Sequence, residues 1–225
     1  MKAISIIIPT FNEEATIEEA IRSACRHDVV EIIISDGGSV DATRTIATTM
    51  QRDDPRITVI NEAQGRGRQL AAGARRATGE LFVFLHCDNR LGGDLTEQMT
   101  DADWPVWGGF EQRIDDERWR FRWLEFGNAA RARWFSRVFG DQGIFVDRTT
   151  YQNVGGFDEV DLMEDVLLSA KLKRIQSASL LPGKLVVSPR RWNQYGVVRQ
   201  TVRNWMIQLA FALGVSPETL RRWYI

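Results

Sequence analysis

The sequence predicts an α/β fold, an open, mostly parallel mixed sheet with helices on both faces in a single domain. Short β-branched runs alternate with helical patterns through the first half of the chain. Each run is apolar almost throughout, as expected of strands buried on both faces by crossover helices. No linker, internal repeat or low-complexity tract divides the two halves, so both are expected to share one sheet. With 225 residues, 44% hydrophobic and 26% charged, the chain can bury a substantial core and has ordinary globular composition.

The first four strands are predicted at residues 4–8, 30–34, 56–60 and 81–85. A helix between the first two places Ile17, Ala20, Ile21 and Ala24 on one face, and Thr10 with Glu13 three positions on reads as a capping box at its start. The next helix begins near Ser39 or Asp41, either a good N-cap, and a third spans about 66–77. The loops Asp36-Gly37-Gly38-Ser39 and Gly65-Arg66-Gly67 follow strands and so belong at the carboxyl edge of the sheet, where open α/β folds bind ligands. Beyond Asp88 the spacing predicts a strand at 106–113, a long helix over 117–137 and a strand at 143–146. A helix follows at 164–174 with Val166, Leu167, Ala170 and Leu172 inward, then a strand at 180–188. The tail is helical, and Ser216-Pro217-Glu218 opens its last helix with cap, proline and acid each in a favoured place.

The 29 Lys and Arg balance 30 Asp and Glu to a net charge of -1, which excludes a global electrostatic footprint for nucleic acid. Two cysteines, Cys25 and Cys87, are too few for a disulfide framework and match no metal spacing, so reduced thiols in the cytoplasm are expected. The run 4–8 is too short for a secretory signal, and no stretch reaches the roughly 18 apolar residues of a membrane span. The expectation is a soluble protein, or one that lies on the inner face of a membrane without crossing it.

Four constellations could carry chemistry. Pro9-Thr10-Phe11-Asn12-Glu13 leaves the first strand and Asp36 leaves the second, where polar groups at adjacent strand ends can converge on a base or ribose; the plain alternative is a cap and a turn. His86-Cys87-Asp88 follows the fourth strand, and an acid there can hold a hard divalent cation; the alternatives are a loop carboxylate and a buried, satisfied histidine. Glu164-Asp165 opens a helix after the loop 158–161, either as dipole-favoured acids or as a general base. Arg190-Arg191-Trp192 offers cations to phosphates and an indole for stacking, or a surface pair beside a core ring.

Taken in order, these motifs carry a resemblance. Residues 6–14, 35–43, Gly65-Arg66-Gly67 with Ala72-Gly73-Ala74, the Asp88 loop, Gly155-Gly156-Phe157, Met163-Glu164-Asp165 and Arg191-Trp192 resemble the large family 2 of inverting glycosyltransferases over nearly the whole chain. The resemblance implies the Rossmann-like GT-A fold, a nucleotide-diphosphate sugar donor, a hydroxyl acceptor and a divalent metal, Mn2+ or Mg2+. It assigns nucleotide contacts to Pro9, Thr10, Asn12, Glu13, Asp36, Gly65, Arg66, His86, Arg191 and Trp192, the metal to Asp88, and catalysis to Asp165 with Glu164 beside it. Residues 1–90 would form the nucleotide-binding half and 91–225 the acceptor-binding and catalytic half. The chain departs from the family's Asp-x-Asp, having His86-Cys87-Asp88, and no histidine follows His86. It resembles most a short bacterial subgroup with this His-x-Asp variant. The rival reading is a non-catalytic nucleotide-sugar binding protein with a decayed metal site, against which stand the retained Glu164-Asp165 and Arg191-Trp192.

The stretch 117–139 interleaves Trp119, Phe121, Trp123, Phe126, Trp134 and Phe135 with six arginines. Such a helix would suit a membrane interface, an acceptor groove or a homodimer contact, with partial core packing as the alternative. Residues 197–215, with Trp205, Met206, Leu209 and Leu213 at helical spacing, raise the same alternatives, with core packing as the default expectation.

Overall fold

In the computed structural model, which describes residues 1–160 and 162–224, strands β1 (Ile4–Thr10), β2 (Glu31–Asp36), β3 (Ile57–Asn61) and β4 (Leu81–Phe84) lie parallel in the order β3-β2-β1-β4. Three helices follow them: α1 (Ile17–Cys25), α2 (Thr43–Asp53) and α3 (Arg66–Arg76). Alternation along β1 shows why helices occupy both faces. Ile6 and Ile8 pack with Ile17, Ala20, Ile21 and Ala24 of α1, whereas Ile7 packs with Leu70, Ala71 and Ala74 of α3. Each fully buried isoleucine contributes about 1.5–3 kcal/mol through removal from water.

The second half completes the same sheet. It supplies β5 (Asn89–Leu91), α4 (Leu95–Asp101), β6 (Trp107–Ile114), α5 (Trp119–Phe135), a 3-10 turn (Gly140–Gln142), β7 (Ile144–Asp147) and α6 (Arg148–Asn153). There follow α7 (Glu164–Leu172), β8 (Ser179–Val187), α8 (Arg190–Tyr195), α9 (Val197–Ala212) and α10 (Pro217–Tyr224). The full order is β3-β2-β1-β4-β7-β6-β8-β5, with β7 antiparallel to β4 and to β6, and β8 parallel to β6. Chain direction therefore reverses beside β4, and the crevice at the carboxyl ends of β1 and β4 opens at the place where such sheets bind ligands.

Several local expectations are corrected. Thr10 ends β1 and bonds Asp36 Oδ1 at 3.3 Å, so it is no helix cap; α1 begins at Ile17, where the Glu13 carbonyl takes the amides of Thr16 and Ile17 at 3.0 and 2.9 Å. Neither Ser39 nor Asp41 is the N-cap of α2, which is Ala42, although Asp41 Oδ1 accepts from the Thr43 amide at 3.0 Å. In α7 the buried side chains are Glu164, Leu168, Ser169 and Leu172; Val166 and Leu167 are half-buried and Ala170 is exposed. The expected core packing of 197–215 fails: Trp205, Met206, Leu209 and Leu213 are exposed, and Ile207 and Gln200 are the residues of α9 that turn inward. Helices α4, α6 and α8 and strand β5 escape sequence reading because each is seven residues or fewer, too short to show a period. Asp161, part of the segment 158–161 singled out in the sequence, and Ile225 lie outside the described residues. Among the described residues, no helix is long and apolar enough to cross a membrane.

Candidate active site

A cleft of about 320 Å3 opens at the carboxyl ends of β1 and β4, within the size range of small-molecule sites. Its first wall is the β1 exit, with Pro9, Thr10 and Glu13. The β4 exit supplies His86, Cys87 and Asp88, and α3 contributes Arg66 and Gln69. The second half closes it with Phe139, which precedes the 3-10 turn, Asp141 within it, Met163 and Asp165 at the start of α7, and Arg190, Arg191 and Trp192 of α8. Both halves of the chain therefore build one site.

Side-chain pairings hold these walls in register. Gln69 Nε2 donates to the carbonyls of Thr10 and Ser35 at 2.7 and 2.8 Å, tying α3 to the ends of β1 and β2. The Glu13 carboxylate accepts from Thr16 Oγ1 at 3.0 Å and pairs with Arg190 at 3.4 Å, joining the first half of the cleft to α8. Arg66 bonds through Nε to the fully buried Glu164, so α3 is clamped to α7 across the cleft floor. Burial raises the Glu164 carboxyl above its ordinary value, with Arg66 opposing the rise and Asp165 adding to it. The Trp192 ring meets Phe121 edge-on at 5.9 Å, which fixes the orientation of α8 against α5.

The floor is shaped by Gly140. Its amide donates to Asp165 Oδ2 at 2.8 Å, and a Cβ placed on it would stand 2.5 Å from His86 Nε2 and 3.3 Å from Asp165 Oδ2. Imidazole, glycine and carboxylate thus converge on one point. His86 Nε2 and Asp141 Oδ1 are buried without a hydrogen-bond partner, and both residues border the cleft. Burial, then the charges of Arg66 and Arg191, push the His86 imidazole well below its ordinary value, so at neutral pH it is uncharged. Burial raises Asp141 as well, against the lowering effect of Arg131. Arg131 stands behind the 3-10 turn, bonding Gln142 Oε1 at 2.8 Å and stacking over Phe139 at 3.9 Å. Met163 adopts φ 69°, a left-handed conformation uncommon for a side chain of this size, and so turns the chain sharply into α7.

Of the thirteen residues to which the family resemblance assigns a role, nine border the cleft: Pro9, Thr10, Glu13, Arg66, His86, Asp88, Asp165, Arg191 and Trp192. Four do not. Asn12 lies on the exposed rim, where its Oδ1 takes the Val40 amide at 3.0 Å. The buried Asp36 carboxylate is spent on the amides of Gly38 and Ser39 and on Ser39 Oγ, closing its own turn. Gly65 caps α3, and Glu164 lies beneath the floor, held to Arg66. Sequence reading missed Asp141, Gln69 and the inward face of α9, namely Gln200, Asn204, Ile207 and Gln208. Gly140-Asp141-Gln142-Gly143, a polar turn between apolar segments, was the one signal that could have found Asp141.

The donor set at Asp88 suits a hard cation. Among the described residues no other side chain hydrogen-bonds to its carboxylate, which is raised above its ordinary value by burial first and by the Glu13 charge second. A bound cation would oppose both effects. Among the described residues there is no cluster of three or more His, Cys, Asp or Glu that could hold a metal by protein ligands alone, so oxygens of a bound phosphate would have to complete the shell.

Comparisons with known proteins agree with this geometry. Residues 5–153 match the model of the glycosyl transferase family 2. A GalNAc(5)-diNAcBac-PP-undecaprenol beta-1,3-glucosyltransferase of Campylobacter jejuni is 37% identical over 109 residues, 46% of this chain and 35% of that protein. An undecaprenyl-phosphate 4-deoxy-4-formamido-L-arabinose transferase of Sodalis glossinidius is 28% identical over 151 residues, 62% of this chain and 46% of that one. The chain thus covers less than half the length of these curated relatives. Among solved structures, a mannosyltransferase of Pyrobaculum calidifontis in complex with GDP-Man and Mn2+ superposes with a TM-score of 0.66 at 21% identity, covering 93% of this chain and 61% of that one. The TarS protein of S. aureus in complex with UDP-GlcNAc gives 0.63 at 18% identity, covering 83% and 58%.

Proposed function

The chain belongs to glycosyl transferase family 2, with a GT-A fold, and from that premise we propose that it moves a sugar from a nucleoside-diphosphate sugar to an acceptor hydroxyl by one inverting displacement. The observation that carries the reading is the packing of His86 and Asp165 against Gly140, at a cleft that the arginines of α8 also line.

In this reading the Asp165 carboxylate takes the acceptor proton as the acceptor oxygen forms its bond to the anomeric carbon. The bond from that carbon to the diphosphate oxygen breaks from the opposite face, and its electron pair leaves with the diphosphate. One displacement inverts the configuration and needs no covalent enzyme nucleophile. Arg190 and Arg191 face the leaving diphosphate, and Arg66, oriented by Glu164, adds charge from the other wall. Pro9, Thr10 and Glu13 border the nucleotide, while Asn12, Asp36 and Gly65 hold the shape of the loops around it. The uncharged His86 imidazole and the Asp141 carboxyl group offer hydrogen bonds to the sugar hydroxyls. Trp192 offers its indole edge or face to the same ligand. Asp88 would hold Mn2+ or Mg2+, which when bound offsets the charge of the diphosphate. The lipid-linked acceptors named for the two curated relatives make a membrane-borne acceptor the first class to assay here.

The test is Asp165→Asn. The amide keeps the shape and one acceptor oxygen but cannot take the proton, so transfer should fall by about 10²–10⁴-fold while donor binding is retained. Undiminished transfer by this variant would remove Asp165 from its role, and loss of donor binding with transfer would recast it as a binding residue. The configuration of the product at its anomeric carbon, read by NMR, checks inversion.

A further inference from the structure

Helix α9 is two-faced in an unusual sense. Its inner face, Gln200, Asn204, Ile207 and Gln208, borders the cleft. Its outer face carries Val198, Val202, Trp205, Leu209 and Leu213 at i, i+4, i+7, i+11 and i+15, an arc of about 80° at 100° per residue. All five are between 44% and 77% exposed. Beside them a groove of about 710 Å3 runs toward Trp223 of α10, lined by Met206, Leu209 and Leu213 with Arg199 and Arg203. Helix α5 repeats the pattern with Trp119, Trp123, Phe126 and Trp134, each at least 63% exposed, opposite its buried Phe121 and Ala132. The two helices are linked through α8, by the Phe121–Trp192 ring contact and the Arg118–Asn193 hydrogen bond.

Charge selects the occupant. Residues 195–217, which carry this face, contain Arg199 and Arg203 and no Asp or Glu, within a chain whose overall charge is -1. A second copy docking on this face about a two-fold axis would bring acid-free segments together and repel. An anionic bilayer surface presents the complement: phosphates for Arg199 and Arg222, both exposed, and an interfacial layer that takes Trp and Leu side chains.

We propose that the outer face of α9, with α5 as a second contact, seats the protein on an anionic phospholipid surface, so that the helix forming one wall of the cleft lies in the interface. This deepens the transferase reading by naming the surface at which the site works, and it rests on that reading only for what the cleft does. A cleft bordered by the inner face of a docked helix can receive a hydroxyl carried on a lipid headgroup without extracting the lipid.

The experiment measures co-sedimentation of the purified chain with phosphatidylcholine vesicles, with and without phosphatidylglycerol. Binding should require phosphatidylglycerol and weaken with added salt. The double variant Trp205→Glu/Leu209→Glu should lose at least about tenfold in apparent vesicle affinity, and Trp123→Glu/Phe126→Glu should lose less. None of these four residues borders the cleft, so nucleoside-diphosphate binding by calorimetry should match the parent. Should the first variant fail to fold by circular dichroism, Arg199→Glu/Arg222→Glu serves instead and should weaken binding to anionic vesicles by a similar factor. Equal binding to neutral vesicles, no vesicle binding, a loss confined to the α5 variant, or self-association abolished by the α9 substitutions would overturn the proposal. Vesicle binding without diphosphate binding would instead count against the transferase reading and leave the docking intact.

Discussion

Replacing Gly140 by alanine isolates the geometry on which the proposed chemistry depends. Gly140 has an ordinary negative φ, so the backbone accepts a side chain and any effect arises from space alone. The added methyl would lie 2.5 Å from His86 Nε2, 2.9 Å from His86 Cε1 and 3.3 Å from Asp165 Oδ2. Ordinary contact is close to 3.5 Å, so the imidazole must retreat by about 1 Å or the turn must lift away from Asp165. Such overpacking costs about 1–3 kcal/mol of stability, and a displacement of this size between reacting groups costs about 10²-fold in rate. The control is Gly127→Ala, in the exposed middle of α5, where an added Cβ has nothing within 4 Å and should stabilise by about 0.5–1 kcal/mol. Thermal melts and steady-state transfer rates on both variants read the two effects. A Gly140→Ala enzyme with parental rate and melting temperature would refute the claim that His86, Gly140 and Asp165 form the working floor of the cleft.

Two further outcomes follow from the electrostatics. The Asp54 carboxyl is held down at about 2 by hydrogen bonds from the Arg56 side chain and then its amide. Its folded value lies below the unfolded one, so its contribution is present above about pH 4 and is lost as pH falls toward 2. Allowing for solvent screening of this partly exposed pair, Asp54→Asn should cost about 1 kcal/mol at neutral pH and nothing at the acid end, as read by denaturant melts at several pH values. His86 should stay neutral through the neutral range, because burial and the charges of Arg66 and Arg191 oppose its protonation. With only two histidines in the chain, its ring resonances are readily assigned by comparison with a His27 variant, and a midpoint near the ordinary value of about 6.5 would contradict the burial described here.

What the sequence could show followed from the range of the interactions. The strands β1, β2 and β4 are legible because they are buried on both faces and carry unbroken apolar runs, and the edge strand β3, half-buried beyond Ile57, because its Ile57, Val59 and Ile60 are β-branched. Helix α1 was legible because one stripe alone, Ile17 to Ala24, meets the sheet. The cap chemistry misled because Thr10 and Glu13 have the spacing of a capping box, yet the strand runs on to Thr10 and hands its hydroxyl to Asp36, a partner 26 positions away. Asp36 and Glu164 illustrate the same limit: their motifs were visible, but only the fold shows that one closes a turn and the other lies beneath the cleft bound to Arg66. Asp141 escaped because a carboxylate in a four-residue turn carries no period, and its meaning comes from β7 laying that turn against His86 and Asp165. The outer stripe of α9 is visible in the sequence, but its default core placement fails because periodicity locates an apolar face without saying what covers it.

The proposed reaction requires the cleft to bind a nucleoside diphosphate with a metal on Asp88. Calorimetric titration of the chain with UDP, GDP, dTDP and CDP, each with and without manganese, tests it most directly when repeated on Asp88→Ala. One diphosphate should bind tightly, strengthened by manganese in the parent and indifferent to manganese in the variant. Binding of no diphosphate, or an equal manganese effect in both proteins, would contradict it.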